Sequence, residues 1–302
     1  MLTSTAKKSP LEIWLLAIRP RTLPAAAAPV IVGSALAFYD DAFQFLPALA
    51  ALLGALLLQI GANLANDVFD FKKGADTSER LGPPRVTQMG LLTPGQVYIG
   101  MIIVFALAAL IGLYLIYVGG WVILGIGILS IVSAIAYTGG PFPLGYHGLG
   151  DIFVFLFFGL AAVCGTYFVQ AGRVTNFVWL AANPIGLLAV AILVVNNLRD
   201  IDTDRAAGKK TLAVRFGARG AQVEYLALLA IAYLVPLLFI ALNFDLIWIL
   251  LTSFSIPLVL PLIRIVLHER GRALNAALAG TARLEFMYAL LFAVGLLLAR
   301  WL

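Results

Sequence analysis

Apolar run length constrains this chain more tightly than any motif. An α-helix rises about 1.5 Å per residue, so crossing a hydrocarbon core of about 30 Å takes roughly 20 mostly apolar residues. Nine stretches meet that requirement, at approximately Ile13 to Tyr39, Leu46 to Asn66, Val97 to Val118, Trp121 to Tyr137, Ile152 to Gln170, Phe177 to Asn197, Glu224 to Leu242, Leu246 to Leu267 and Asn275 to Leu302. Little chain is left for anything else: of 302 residues, 62% are hydrophobic and 12% charged, far from the balance of a soluble domain. The fold class expected is an all-α integral membrane bundle of nine transmembrane helices, forming a single membrane-embedded domain over residues 1–302. Arg19, Pro20 and Arg21 interrupt the first apolar run, which argues for a retained helix rather than a cleaved signal peptide.

Charge divides the connections into two sets. Those after the first, third, fifth and seventh spans hold Asp40, Asp41 and Asp245, with Arg173 as their one base. The other face holds Lys7, Lys8, Lys72, Lys73, Arg80, Arg85, Arg199, Arg205, Lys209, Lys210, Arg215, Arg219, Arg270 and Arg272. The positive-inside rule makes that face cytoplasmic, with the N-terminus inside, and it accounts for the formal net charge of +5 without a nucleic-acid partner. The single cysteine, Cys164, lies in an apolar run and has no partner for a disulfide or a structural zinc site.

Two cytoplasmic loops resemble each other. Asn63 to Asp76 reads N-L-A-N-D-V-F-D-F-K-K-G-A-D, and Asn196 to Lys210 reads N-N-L-R-D-I-D-T-D-R-A-A-G-K-K. Each ends an apolar helix in asparagine and continues with spaced aspartates, then glycine and lysine, as two similar halves would, with motif loops near 63–90 and 196–220. Asn66 and Asp70 are four apart, as are Asp200 and Asp204, so each pair shares a face wherever its helix continues. Paired oxygen ligands of this kind suit Mg²⁺, which is commonly held by one or two carboxylates together with phosphate oxygens. The metal candidates are Asn66, Asp67, Asp70, Asp200 and Asp204, with Asp76 and Asp202 as ligands or supporting acceptors. Solvated loop charge is the plainer reading of any one aspartate. Two clusters of acids are harder to explain that way, because like charges so close together need cations to offset them.

Lys73, Arg199, Lys209 and Lys210 lie within the motifs, and Arg80 and Arg85 follow the first, placed to bind a diphosphate. Arginine offers phosphate a fork and lysine a point charge. Asp70, Asp200, Asp204, Lys210 and Asn63 are the catalytic candidates. Gln59 and Asn63, one turn apart inside an apolar helix, face either a cavity or a neighbouring helix. Tyr137 and Tyr146 flank the turn Gly139-Gly140-Pro141-Phe142-Pro143; either ring could shield a carbocation or anchor at the membrane interface. His147 and His268 show no metal-ligand spacing, and no G-x-S-x-G, Walker A or dinucleotide fingerprint is present.

On these residues the chain resembles the UbiA superfamily of intramembrane aromatic prenyltransferases. The family's N-D-x-x-D motif matches Asn66, Asp67 and Asp70, and its D-x-x-x-D motif with following glycine and lysine matches Asp200, Asp204, Gly208 and Lys210. Features of the menaquinone branch are I-R-P-R-T-L-P from Ile18, Y-T-G-G-P from Tyr137, G-L-G-D from Gly148 and N-N-L-R-D from Asn196. Gly74 stands where the 4-hydroxybenzoate branch normally has a further aspartate. The resemblance implies nine helices around a central cavity open sideways to lipid and capped by cytoplasmic loops, in the cell's inner (plasma) membrane. It also implies Mg²⁺-dependent transfer of a polyprenyl group from polyprenyl diphosphate to 1,4-dihydroxy-2-naphthoate, with loss of CO₂, giving demethylmenaquinone. The alternatives are another aromatic acceptor, such as 4-hydroxybenzoate or homogentisate, or a chlorophyllide, and, from a different class, a cation-coupled secondary transporter.

Overall fold

A computed structural model describes residues 8–75, 80–242 and 244–301, and their regular structure is helical throughout. Lys7 and Asp76 lie outside the described residues. Helix α1 (Pro10–Ile18) starts on a reciprocal cap in which Ser9 Oγ accepts from the Glu12 amide and the Glu12 carboxylate from the Ser9 amide. It stops at Arg19, which adopts a left-handed φ of 56°. Pro20 explains the stop, since its ring crowds the preceding residue out of the helical region. One 3-10 turn, Pro20–Thr22, then leads into α2 (Leu23–Tyr39). The first membrane span is therefore broken near one end.

Helix α3 (Phe45–Lys72) carries the first motif within its last two turns. Next comes α4 (Pro94–Ala136), 43 residues long and so about twice the length one crossing needs. Gly120, with φ 65° and ψ −152°, breaks it, in a backbone region that only glycine occupies without strain. Both ends of α4 return to the end of α3: Lys72 Nζ lies 5.3 Å from the Tyr98 ring centre, and Thr138 donates to Asn66 Oδ1 at 3.0 Å. The run is thus a hairpin of two crossings. Eight apolar helical runs give nine spans among the described residues.

The fifth span joins α5 (Gly150–Val154), a π-helical stretch Phe155–Ala161 and α6 (Ala162–Ala171). Helix α7 (Asn176–Arg199) ends at the second motif and passes through Asp200 into the short α8 (Ile201–Ala206). Helix α9 (Leu212–Leu242), a 3-10 segment Phe244–Ser255 leading into α10 (Ile256–His268), and α11 (Leu274–Trp301) complete the bundle.

Two apolar cores hold these helices. The larger joins α2, α7, α9 and α11 around residues such as Leu36, Ile185, Tyr225 and Phe292; the smaller joins α1, α3 and α4 around Ala17, Leu64, Val68 and Phe105. Between them lies a cavity of about 980 Å³. It runs from the aspartate motifs into an apolar interior bounded by Phe153, Phe157 and Val169. Leu15, Leu113 and Ile128 also line it and are exposed on the outer surface, so the cavity opens toward lipid.

Candidate active site

The helices bring both motifs to one end of the cavity. Asn66 and Asp70 arrive from α3, Asp200 from the α7–α8 junction and Asp204 from α8, and all four line the wall with Gln59, Arg80, Arg85, Tyr137, Arg199 and Lys209. Because α3 continues unbroken to Lys72, Asn66 and Asp70 do share a face. The second pair is spaced differently. The helix bends at Asp200, with φ −100° and ψ 12°, yet the Asp204 amide still donates to the Asp200 carbonyl at 2.7 Å. One helical turn therefore separates its two acids even though the long helix has ended.

Each motif is tied to an arginine. Arg85, from the loop after α3, meets Asp70 Oδ2 at 2.7 Å and also reaches the Asn66 carbonyl. Arg199 forks onto its neighbour Asp200, with Nε to Oδ1 at 2.8 Å and Nη2 to Oδ2 at 2.5 Å. Its other bonds go to Asn275 Oδ1 at 2.8 Å and Asn196 Oδ1 at 2.7 Å. Asn275 in turn donates to the Leu81 carbonyl, drawing the loop over Arg199. Gly82 is needed for that approach: a Cβ there would stand 2.8 Å from Arg199 Nη2.

Asp204 pairs with Lys209 at 3.2 Å. Burial pushes the Asp204 carboxyl above the usual carboxylate range, with Lys209 pulling the other way. Lys73 is exposed and stands outside the cavity lining; partial desolvation lowers its ammonium, opposed by the charge of Asp70. Tyr137 lines the same wall as the acids of both motifs.

Several sequence candidates have other tasks. Asp67 is 1% exposed and does not line the cavity. Its carboxylate accepts from the Val86 and Thr87 amides at 3.1 and 3.3 Å and from the Thr87 hydroxyl, clamping the following loop to α3. Asn63 also turns from the cavity, donating to the Ile18 carbonyl and Thr22 Oγ1, both at 2.9 Å, so it braces the α1–α2 break. Gln59 stays on the wall beside it, donating to Thr22 and Asn63. Lys210 is exposed and meets the site through its backbone, its amide donating to the Tyr146 carbonyl at 2.8 Å. Arg80 lines the wall and donates to the Pro83 carbonyl at 3.0 Å. Asp202 is exposed, facing Arg205.

Sequence reasoning passed over Thr138, Asn196, Asn275 and the contacts of Tyr146. Asn196 and Asn275 carry a usable signal, since an amide at the end of an apolar helix needs a polar partner. Tyr146 carries none beyond its place after a Gly-Pro turn.

The donor set suits a hard cation, being carboxylate and amide oxygen throughout. Among the described residues no three acids, histidines or cysteines come together closely enough to hold a metal by themselves. Pairs of acids facing a shared space fit an ion whose coordination is completed by phosphate oxygens and water.

The model of the UbiA prenyltransferase family matches residues 26–290. The chain belongs to that family. A UbiA-family relative from Escherichia coli (strain K12), a 1,4-dihydroxy-2-naphthoate octaprenyltransferase, is 41% identical, with 96% of each chain covered. Among solved UbiA homologues, one from Aeropyrum pernix superposes with a TM-score of 0.67 at 15% identity, covering 91% of this chain and 96% of that one. Another, from Archaeoglobus fulgidus and bound to DMAPP and Mg²⁺, gives 0.62 at 18% identity over 93% and 99%. At such identities these structures establish the UbiA fold.

Proposed function

We propose that the protein transfers a polyprenyl group from polyprenyl diphosphate to 1,4-dihydroxy-2-naphthoate, with loss of CO₂ and diphosphate, to give demethylmenaquinol, the reduced form of demethylmenaquinone. The observation that carries this reading is the join between a charged mouth and an apolar cavity. Asp70, Asp200, Asp204, Arg85, Arg199 and Lys209 sit at the end of a space of about 980 Å³ whose other walls are mostly apolar. A diphosphate with a long hydrocarbon tail has the same two-part chemistry. The naphthoate acceptor rests on the relative from Escherichia coli, whose name specifies it.

Asn66, Asp70, Asp200 and Asp204 would hold Mg²⁺, which when bound neutralises diphosphate charge. The chain's own groups do the rest. Arg85 and Arg199, held on carboxylates at the cavity mouth, would turn to the phosphate oxygens of a bound diphosphate, which keeps each guanidinium paired. Breaking the C1–O bond of the allylic diphosphate leaves negative charge on the departing oxygen, and Lys209 and the arginines stand fixed where it develops. The apolar walls keep water from the allylic cation. The ring carbon bearing carboxylate then forms the new C–C bond, CO₂ departs with the C–C electron pair left in the ring, and the aromatic hydroquinone is restored. The site faces the cytoplasm from the inner membrane, by the distribution of lysine and arginine.

Membranes carrying the protein, incubated with 1,4-dihydroxy-2-naphthoate, a polyprenyl diphosphate and Mg²⁺, are expected to yield a decarboxylated prenyl naphthohydroquinone, detected by mass spectrometry as the quinone after oxidation in air. EDTA should abolish it, and Asp70→Ala and Asp204→Ala should each lower the rate by about 10²- to 10³-fold. Prenylation of 4-hydroxybenzoate or homogentisate instead would replace the acceptor and keep the chemistry. No transfer to any acceptor by folded protein would overturn the reading.

A further inference from the structure

Tyr146 has no part in the mechanism above, yet it touches both halves of the site. Its hydroxyl donates to Asp70 Oδ1 at 2.8 Å. Its ring carries two ammonium groups, Lys73 Nζ at 5.0 Å and Lys209 Nζ at 4.9 Å from the centroid. Lys73 follows the first motif and Lys209 the second, so one side chain holds a base from each.

The backbone of Tyr146 belongs to the second motif. Its carbonyl accepts from the Lys210 amide at 2.8 Å, and Arg215 bridges the same two segments, donating to the His147 carbonyl at 2.8 Å and the Lys210 carbonyl at 3.0 Å. His147 stacks on Phe142 with ring centres 3.7 Å apart, closing the turn from its other side. The turn is thus stapled to the segment after α8, while the phenol at its tip reaches α3. We propose that Tyr146 is a positioning residue that couples the two aspartate motifs, its hydroxyl orienting the Asp70 carboxylate and its ring holding Lys73 and Lys209 ready for the diphosphate. This rests on reading the site as one for a prenyl diphosphate.

Asp70 is held on both oxygens, by Tyr146 on Oδ1 and Arg85 on Oδ2. An incoming cation can replace Arg85 by exchanging one positive charge for another. The neutral phenol has no such competitor, so it keeps the carboxylate oriented through the exchange. The ring acts on the lysines by another route. Two ammonium groups approaching one polyanion repel each other, and the negative face of an aromatic ring offsets part of that cost while leaving N–H donors for phosphate. The competing contacts of the lysines are modest: Lys73 to the Gly140 carbonyl and Lys209 to Asp204, each at 3.2 Å.

Tyr146→Phe and Tyr146→Leu separate the two roles. In Tyr146→Phe the Mg²⁺ concentration for half-maximal rate, and that for half-maximal thermal stabilisation of the detergent-solubilised protein by Mg²⁺ with inorganic diphosphate, should both rise about tenfold, the usual order when a metal ligand loses its orienting hydrogen bond. KM for the prenyl diphosphate should stay near wild type. In Tyr146→Leu that KM should rise as well, by roughly tenfold for two lost cation–π contacts. KM for the acceptor should hold within about twofold in both, which a general loosening of the fold would not allow. Tyr146→Phe keeps the ring and its packing, so it decides the hydroxyl's role even where Tyr146→Leu is poorly folded. Unchanged Mg²⁺ and diphosphate dependence in both variants, beside active wild type, overturns this inference alone. A parallel rise of acceptor KM also overturns it. Wild-type protein without Mg²⁺-dependent turnover overturns the functional reading, and this inference with it.

Discussion

Asp67 and Asp70 stand three residues apart in one motif and do opposite things. Asp70 faces the cavity and meets Arg85 and Tyr146; Asp67 is turned into the protein and holds the Val86 and Thr87 amides. Asp67→Ala would strand two buried amide donors, at a cost of about 1–3 kcal/mol for each donor left unsatisfied. The expected outcome is a lower midpoint of thermal unfolding in detergent and faster proteolysis of the loop before Thr93, with Asp67→Asn recovering part of both. Asp204 behaves in the reverse sense. Its folded carboxyl is raised by burial, so it favours the folded state most at low pH, and that contribution fades as pH rises through the folded value. Near neutrality the charged form therefore weighs against the ligand-free protein. Asp204→Asn is expected to raise the thermal midpoint of ligand-free protein at pH 7, with the gain shrinking toward pH 4, while turnover is lost. A lower midpoint at pH 7 would contradict this sign. These two acids mark how far the sequence could be read. The pairing of Asn66 with Asp70 follows from helical spacing alone, whereas the fate of Asp67 depended on where the loop after α3 returns, and no local pattern encodes that.

At the scale of elements, the apolar runs were legible because hydrocarbon admits so few alternatives to a helix. The interruptions were harder to place. Pro20 announces the α1–α2 break, but the bend at Asp200 and the π-helical stretch Phe155–Ala161 reflect packing against neighbours. The π stretch crosses α7 through a glycine pair: a Cβ on Gly159 would lie 2.7 Å from the Gly186 Cα, and one on Gly186 would lie 3.0 Å from the Gly159 Cα. At Gly159 the nearest atoms are all backbone of Gly186 and Ala182, so no side chain can give way, and small residues are what allow membrane helices to approach this closely. Phe153 and Phe157, beside the crossing, line the cavity. Gly159→Ala should therefore push the fifth span from α7, costing about 1–3 kcal/mol as overpacking does, read as a lower thermal midpoint. Activity should fall in parallel, with the KM for the longest prenyl diphosphates moving most, because the displaced wall bounds the apolar part of the cavity. Gly112→Ala is the control, since nothing lies within 4 Å of a Cβ there.

The whole molecule is an uneven bundle across the membrane. One end gathers both motifs, their bases and the turn carrying Tyr146. The opposite end has little charge, and most of what it has is internally paired: Arg300 takes both oxygens of Asp41, at 2.6 and 2.7 Å, and the Tyr167 hydroxyl reaches Asp40. An end whose charges largely cancel is cheaper to carry across a membrane than one dense in lysine and arginine, which is the physical content of the positive-inside rule. Nine spans among the described residues fix only that Pro10 and Trp301 lie on opposite faces; charge must choose which face is inside. The protein offers a clean way to test that choice, because its one cysteine, Cys164, is buried. In a Cys164→Ser background, Arg173→Cys and Arg205→Cys place single thiols at opposite ends of the bundle. A membrane-impermeant maleimide applied to intact spheroplasts should label Arg173→Cys and leave Arg205→Cys unmodified until the membrane is opened. The reverse pattern would put both aspartate motifs outside the cell, where a cytosolic supply of prenyl diphosphate could not reach them, and the proposed reaction would fail on topology before any site residue was tested.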